Sequence, residues 1–148
     1  EIRSRGLGDV YKRQEKNNHL ESLIIIGHSF GGLIVTLFSE SWESTFPINA
    51  HAIASGLAKS KFDRKYLNCE NPKKPKYDIS KYVEYKQWRT IKDQDGIFKR
   101  LNNDPQVVTF INGKTTLLPK RWKSTRVGHN FSILVVSDII LSDLQKNK

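Results

Sequence analysis

Leu23, Ile24, Ile25 and Ile26 form an apolar run without alternation, which predicts a parallel strand buried on both faces. The run ends abruptly in Gly27-His28-Ser29-Phe30-Gly31, and Leu33, Ile34, Leu37 and Phe38 then recur at helical spacing, predicting a helix from about Phe30 to Ser41. Pro47 breaks the chain, and Ile48 to Ser55 predicts a second parallel strand, short and rich in small residues, closed by Gly56. Between Lys59 and Lys81 apolar periodicity fades and lysines and prolines accumulate, so this stretch predicts a long surface excursion.

Periodicity resumes with a strand from about Glu84 to Ile91, followed by a helix beginning at Gly96 to Leu101 and ended by Asn102-Asn103-Asp104-Pro105. Gln106 to Leu118 carries Asn112-Gly113 between two β-prone runs, a hairpin signal. Lys123 to Val127 predicts a strand leading toward His129. Phe131 to Leu144, apolar at Ile133, Leu134, Val136, Ile140, Leu141 and Leu144, predicts a closing amphipathic helix. The alternation of strands and helices is that of an α/β chain with a mostly parallel sheet.

The junction of the first strand and helix reads G-x-S-x-G in a strand-turn-helix setting. Gly27 and Gly31 lack a Cβ, so a sharp turn can lift the Ser29 hydroxyl above the sheet while strand and helix backbones approach closely. Ser29 is the candidate nucleophile. A serine hydroxyl needs a base within hydrogen-bond reach, and the base needs a partner that sets its tautomer.

GHSFGG resembles the nucleophile elbow of the α/β-hydrolase superfamily, and the likeness extends over roughly Leu20 to Leu144, about the C-terminal half of such a domain. Tyr85 to Gly96 resembles the strand that delivers the family's acid, with Asp95 in the acid's place and Asp93 as the alternative. Arg126-Val127-Gly128-His129 resembles the family's Gly-His before a last helix, making His129 the base and Gly128 the small residue that lets the loop bend. The resemblance implies a serine hydrolase of the esterase or lipase kind, acting on small-molecule or lipid esters through an acyl-enzyme and needing no metal or other cofactor. It assigns the Phe30 N–H to the oxyanion hole, with His28 shaping the elbow, and places a second oxyanion donor on an earlier loop. The chain read as a partial domain lacks that loop, and the implied expectation is an inactive fragment. A non-catalytic relative that binds a ligand or partner through the same crevice is the alternative.

Ser4 to Gln14 looks like a translated sequencing-library adaptor, which would make residues 1–14 non-native and residues 15–148 the partial hydrolase domain, with 59–81 a lid or a passive connection. Phe62, Tyr66, Leu67 and Tyr77 would supply the lid's apolar underside. The chain has no Met, so its natural start is expected upstream. With 37% hydrophobic and 10% aromatic residues, the composition is that of a globular chain and not a disordered one. Cys69 is the single cysteine, so no intrachain disulfide forms.

The net charge is +10, and +8 without the four basic and two acidic residues at Glu1, Arg3, Arg5, Asp9, Lys12 and Arg13. This charge accompanies abundant Asn and Ile, as coding bias would give, and no nucleic-acid-binding motif, so nucleic acid is not expected as a partner. A basic binder centred on Lys73, Lys74 and Lys76 is the competing reading. No apolar run is long enough to span a bilayer, and the sequence leaves membrane association and localisation open. His51 reads as a packing residue, the tryptophans Trp42, Trp88 and Trp122 as packing residues or lid contacts, and His19 as exposed.

Overall fold

The computed structural model describes residues 21–61, 63 and 71–146. Residues 1–14, His19, Phe62, Tyr66, Leu67 and Cys69 lie outside the described residues. Among the described residues the strands are β1 (Leu23–His28), β2 (Ile48–Ile53), β3 (Lys76–Asp78), β4 (Val83–Arg89), β5 (Thr109–Ile111), β6 (Gly113–Leu117), β7 (Arg121–Trp122) and β8 (Thr125–Arg126). The helices are α1 (Phe30–Ser41) and α2 (Ser132–Lys146), with a short 3₁₀ turn at Lys92–Gln94. A four-stranded sheet in the order β1-β2-β4-β6 is parallel throughout, and helices flank it, which makes this an α/β fold.

Period-two alternation divides β1, β2 and β4 between two cores. On one face Ile48, Ala50 and Ala52 of β2 and Val83 and Tyr85 of β4 meet Leu33 and Val35 of α1, with Trp42, Tyr77 and Ile79. On the other, Ile53 and Trp88 meet Val135, Val136 and Ile140 of α2, with Leu118 and Val127. The small residues of β2 let α1 sit close to the sheet. Inside α1 the buried hydroxyls are returned to the backbone: Thr36 Oγ1 donates to the Gly32 carbonyl and Ser39 Oγ to the Val35 carbonyl, both at 2.7 Å.

Several expectations change. β1 is an edge of the described sheet and is not buried on both faces: Ile26 is 47% exposed, because no described element covers it. Within α1, Ile34 is exposed and Val35 buried. Gly96–Leu101 forms turns and no helix, and the Asp95 side chain accepts the N–H groups of Ile97 and Phe98 there. The Asn112-Gly113 hairpin does not form. A type I′ turn needs positive φ at both residues, and only Asn112 has it, at 57°. The chain instead steps between sheets, β5 pairing parallel with β3 and β6 parallel with β4. The last strand of the main sheet is therefore β6, and Lys123–Val127 contributes only β8 to a small antiparallel pair with β7, turned at Lys123 and Ser124 (φ 46° and 66°).

Tyr77 is a core residue and not part of a lid underside, fully buried with its hydroxyl donating to the Leu57 carbonyl at 2.8 Å. Trp42 and Trp88 are buried as packing residues, and Trp88 Nε1 donates to His51 Nδ1 at 3.1 Å.

Candidate active site

The end of β1 delivers Ser29 in a conformation that few side chains accept, with φ 56° and ψ −119°. Such a backbone costs about 1–3 kcal/mol and persists only where its surroundings hold it. Here Ser29 N–H donates to the Ile53 carbonyl at 2.9 Å, while its carbonyl accepts the Ser55 hydroxyl at 2.8 Å and the Gly32 N–H at 3.1 Å. Strand β2 thus clamps the turn from beside it.

Two glycines make the turn possible. A Cβ on Gly27 would lie 2.2 Å from the Gly31 carbonyl oxygen, and one on Gly32 would lie 1.7 Å from Ser55 Oγ. Gly31 is different: a Cβ there would meet nothing within 4 Å, so the close approach expected of Gly31 belongs to Gly32.

A serine at the start of a helix ordinarily turns its hydroxyl onto the first-turn N–H groups. Ser29 makes no such cap. Its Oγ lies 3.0 Å from Nε2 of His129 instead. The other ring nitrogen, Nδ1, lies 3.1 and 3.0 Å from Oδ1 and Oδ2 of Asp95. One hundred residues apart in sequence, Ser29 at the end of β1 and His129 in the loop before α2 are brought together in the fold.

Each partner is held by its own neighbours. Asp95 is fully buried, and its Oδ2 accepts the Thr90 hydroxyl at 2.6 Å while Oδ1 accepts the N–H groups of Ile97 at 2.9 Å and Phe98 at 3.2 Å. Burial by itself would raise this carboxyl's pKa; the hydrogen bonds from His129 and Thr90, the imidazole charge and the Ile97 N–H outweigh it and hold the group below the usual carboxylate range. Thr90 is placed in turn by Gln106, whose Nε2 donates to the Thr90 carbonyl at 3.0 Å and whose Oε1 accepts the Thr90 N–H at 2.9 Å. Asp93, the alternative acid, is solvent-exposed beside Lys92 and makes no contact with His129. Asp95 is the carboxylate the fold presents to the imidazole.

The His129 carbonyl accepts Nε2–H of His28 at 2.9 Å and the Ser132 hydroxyl at 2.5 Å, and Phe98 meets the imidazole ring edge-on at 5.3 Å between centroids. His28 is therefore a brace for the His129 backbone. Its pKa is lowered, chiefly by burial, with the charge of His129 adding to the effect.

Ser29 opens into a cavity of about 420 Å³, a size usual for small-molecule sites. Phe30, Ile97, Phe98, Leu101 and Pro105 give it apolar walls, and Ser60, Asp63 and Lys73 line its polar side. The Phe30 N–H, in the first turn of α1, has no carbonyl of its own helix to bond and is available to a ligand oxygen beside Ser29.

The sequence did not single out Gly32, Ser55, Thr90, Gln106 or the Asp63–Lys73 pair. Only the double glycine carried a usable signal; the others act through contacts between distant segments. Two of the three lysines Lys73, Lys74 and Lys76 are paired, Lys73 with Asp63 at 2.5 Å and Lys74 with Glu40 at 2.8 Å. Among the described residues no group of three or more His, Cys, Asp or Glu is placed to hold a metal ion, and no helix is long and apolar enough to cross a membrane. The chain matches no protein-family model, no curated protein and no solved structure.

Proposed function

We propose that the chain carries the site of a serine hydrolase of the α/β-hydrolase kind that cleaves carboxylic esters through an acyl-enzyme. The observation that carries this reading is the continuous hydrogen-bonded line from Ser29 Oγ through both nitrogens of His129 to Asp95, at distances of 3.0 to 3.1 Å. Nucleophile Ser29, orienting acid Asp95 and base His129 follow one another along the chain in the order that the elbow resemblance implies.

In the mechanism, Ser29 Oγ attacks the ester carbonyl carbon as its proton passes to His129 Nε2. Asp95 receives Nδ1–H, fixes the tautomer with Nε2 free to accept, and stabilises the imidazolium. The Phe30 N–H donates to the oxyanion. Collapse of the tetrahedral intermediate breaks the bond to the alkoxy group, which leaves as the alcohol with the proton from Nε2. Water, deprotonated by His129, then attacks the acyl-enzyme and releases the acid and free Ser29. The apolar walls of the cavity exclude water from the acyl group and favour an ester over a charged substrate.

With one oxyanion donor assigned, turnover is expected to be low, about 100- to 1,000-fold below that of a two-donor site. Covalent labelling, which accumulates, is therefore the test. A fluorophosphonate probe is expected to modify Ser29, with labelling abolished in Ser29→Ala and in protein denatured beforehand. Folded protein that stays unlabelled through prolonged exposure would overturn the reading and favour a ligand-binding crevice without chemistry.

A further inference from the structure

The polar side of the Ser29 cavity is built around an ion pair that the proposed chemistry does not use. Asp63 is 4% exposed and the Lys73 side chain 11%, and they meet at 2.5 Å. The carboxylate is fully engaged: Oδ1 takes Lys73 Nζ, and Oδ2 takes the Ser60 N–H at 2.7 Å and the Asn71 amide at 3.1 Å. Burial would raise its pKa, but these donors outweigh it and keep the group ionised. The ammonium is less well served. It carries three N–H donors, and Asp63 Oδ1 is its one hydrogen-bond acceptor among the described residues. Asp63 engages one of these donors, so a ligand oxygen that reaches Lys73 from the cavity can be bound without breaking the ion pair.

The charge balance indicates what kind of oxygen. Asp63 already neutralises Lys73, so a carboxylate entering here would stand beside a second, buried carboxylate, and like charges in such a site repel strongly. A neutral acceptor meets no such penalty. Lys73 and Ser29 line the same cavity, whose apolar walls include Phe30, Ile97, Phe98 and Leu101.

From this geometry we infer that the cavity selects esters that combine an apolar body with a neutral oxygen, such as a hydroxyl, ether or keto group, to which Lys73 donates. The inference rests on the proposed role of Ser29 for the position of the carbonyl; the contact with Lys73 is independent of any chemical step.

Equilibrium binding to the Ser29→Ala protein, followed by ¹H–¹⁵N NMR shifts, tests it without turnover. The ligands are methyl esters of straight-chain acids in three matched series: unsubstituted, ω-hydroxy and ω-carboxylate. The expected result is that at the best chain length the ω-hydroxy ester binds about tenfold more tightly than the unsubstituted ester, the gain of one hydrogen bond to a charged donor, and that the carboxylate binds more weakly than the hydroxyl. Lys73→Met combined with Asp63→Asn, which removes both charges together, is expected to bring the hydroxy and unsubstituted esters to equal affinity. Equal affinity already with Lys73 and Asp63 in place overturns the inference, whatever the fate of the double variant. So does a hydroxyl preference that survives in the double variant, or a carboxylate that binds best. Fluorophosphonate labelling of protein with Ser29 intact separates the two proposals: a labelled protein without the preference ends this inference alone, and an unlabelled protein with it ends the hydrolase reading alone.

Discussion

Ser29 and Asp95 illustrate how a side chain acquires a role from its surroundings. Asp93 and Asp95 are two residues apart, yet one is in solvent and the other receives His129, Thr90 and two backbone N–H groups. On the proposed mechanism, Asp95→Asn leaves the fold in place but reverses the hydrogen-bonding preference at Nδ1, and the rate of Ser29 labelling is expected to fall by up to about 10,000-fold. Asp93→Asn is expected to leave that rate unchanged, and parallel labelling time courses compare the two. The histidines make a prediction about pH. Burial lowers the pKa of His28, and burial together with the charge of Lys86 lowers that of His51. Below the ordinary value of about 6.5, the unfolded chain therefore binds more protons at these positions than the folded one. Their stabilising effect is complete above that pH and is lost as pH falls through the window between the unfolded and folded values. Melting temperature is expected to decline from pH 7 toward pH 5, before the carboxylates matter, and His51→Gln should flatten the decline. Asp95 and Asp63 have lowered pKa values too, so their contribution is present above about pH 3.9 and is lost at lower pH.

Elements meet at two turns whose glycines and asparagine have specific steric reasons. Gly27→Ala would force a Cβ to within 2.2 Å of the Gly31 carbonyl, a backbone atom that cannot yield without displacing α1. Gly31→Ala enters open space inside a helix, where alanine is favoured by about 1 kcal/mol. The first variant is expected to unfold at much lower urea concentration than the parent, and the second at an equal or higher one. At the step between β5 and β6, Asn112 holds φ 57° and its side-chain amide donates to the Ile79 carbonyl at 3.2 Å. Asn112→Val is expected to cost about 1–2 kcal/mol in the same measurement, because a β-branched residue is strained in the left-handed region, while Asn112→Gly costs less. Asn-Gly signals a hairpin from local preference alone; the pairing of β5 with β3 and β6 with β4 is decided by partners more than twenty residues away. The turn at Lys123-Ser124 is the converse case, with two positive φ values and no sequence signature.

Over the whole molecule, one sheet separates two cores, and each core needs the other's side of the same strands. Leu33→Ala on α1 is expected to cost about 2–5 kcal/mol. Because β2 and β4 serve both clusters, the loss should destabilise the α2 side equally. Trp42 belongs to one cluster and Trp88 to the other, so single-tryptophan variants report each face, and coincident urea transitions for both are the expected result. The succession of parallel strands and helices was legible from periodicity, and Ser29 from its turn, because turn chemistry and apolar runs are local properties of the chain; Asp95, with Asp93 as its alternative, and His129 were expected only from the family resemblance. Ile34 and Val35, and the exposed Leu134 and Leu141, show where periodicity ran out: both helices are apolar around much of their circumference, and only the position of the sheet selects the buried stripe. The sequence by itself determined the succession of β1, α1, β2, β4 and α2 and the turn that carries Ser29. Only tertiary structure decided which aspartate reaches His129, which glycine lies against Ser55, and that Lys73 faces the same cavity as Ser29, since each depends on contacts closed across long stretches of chain that no local pattern encodes.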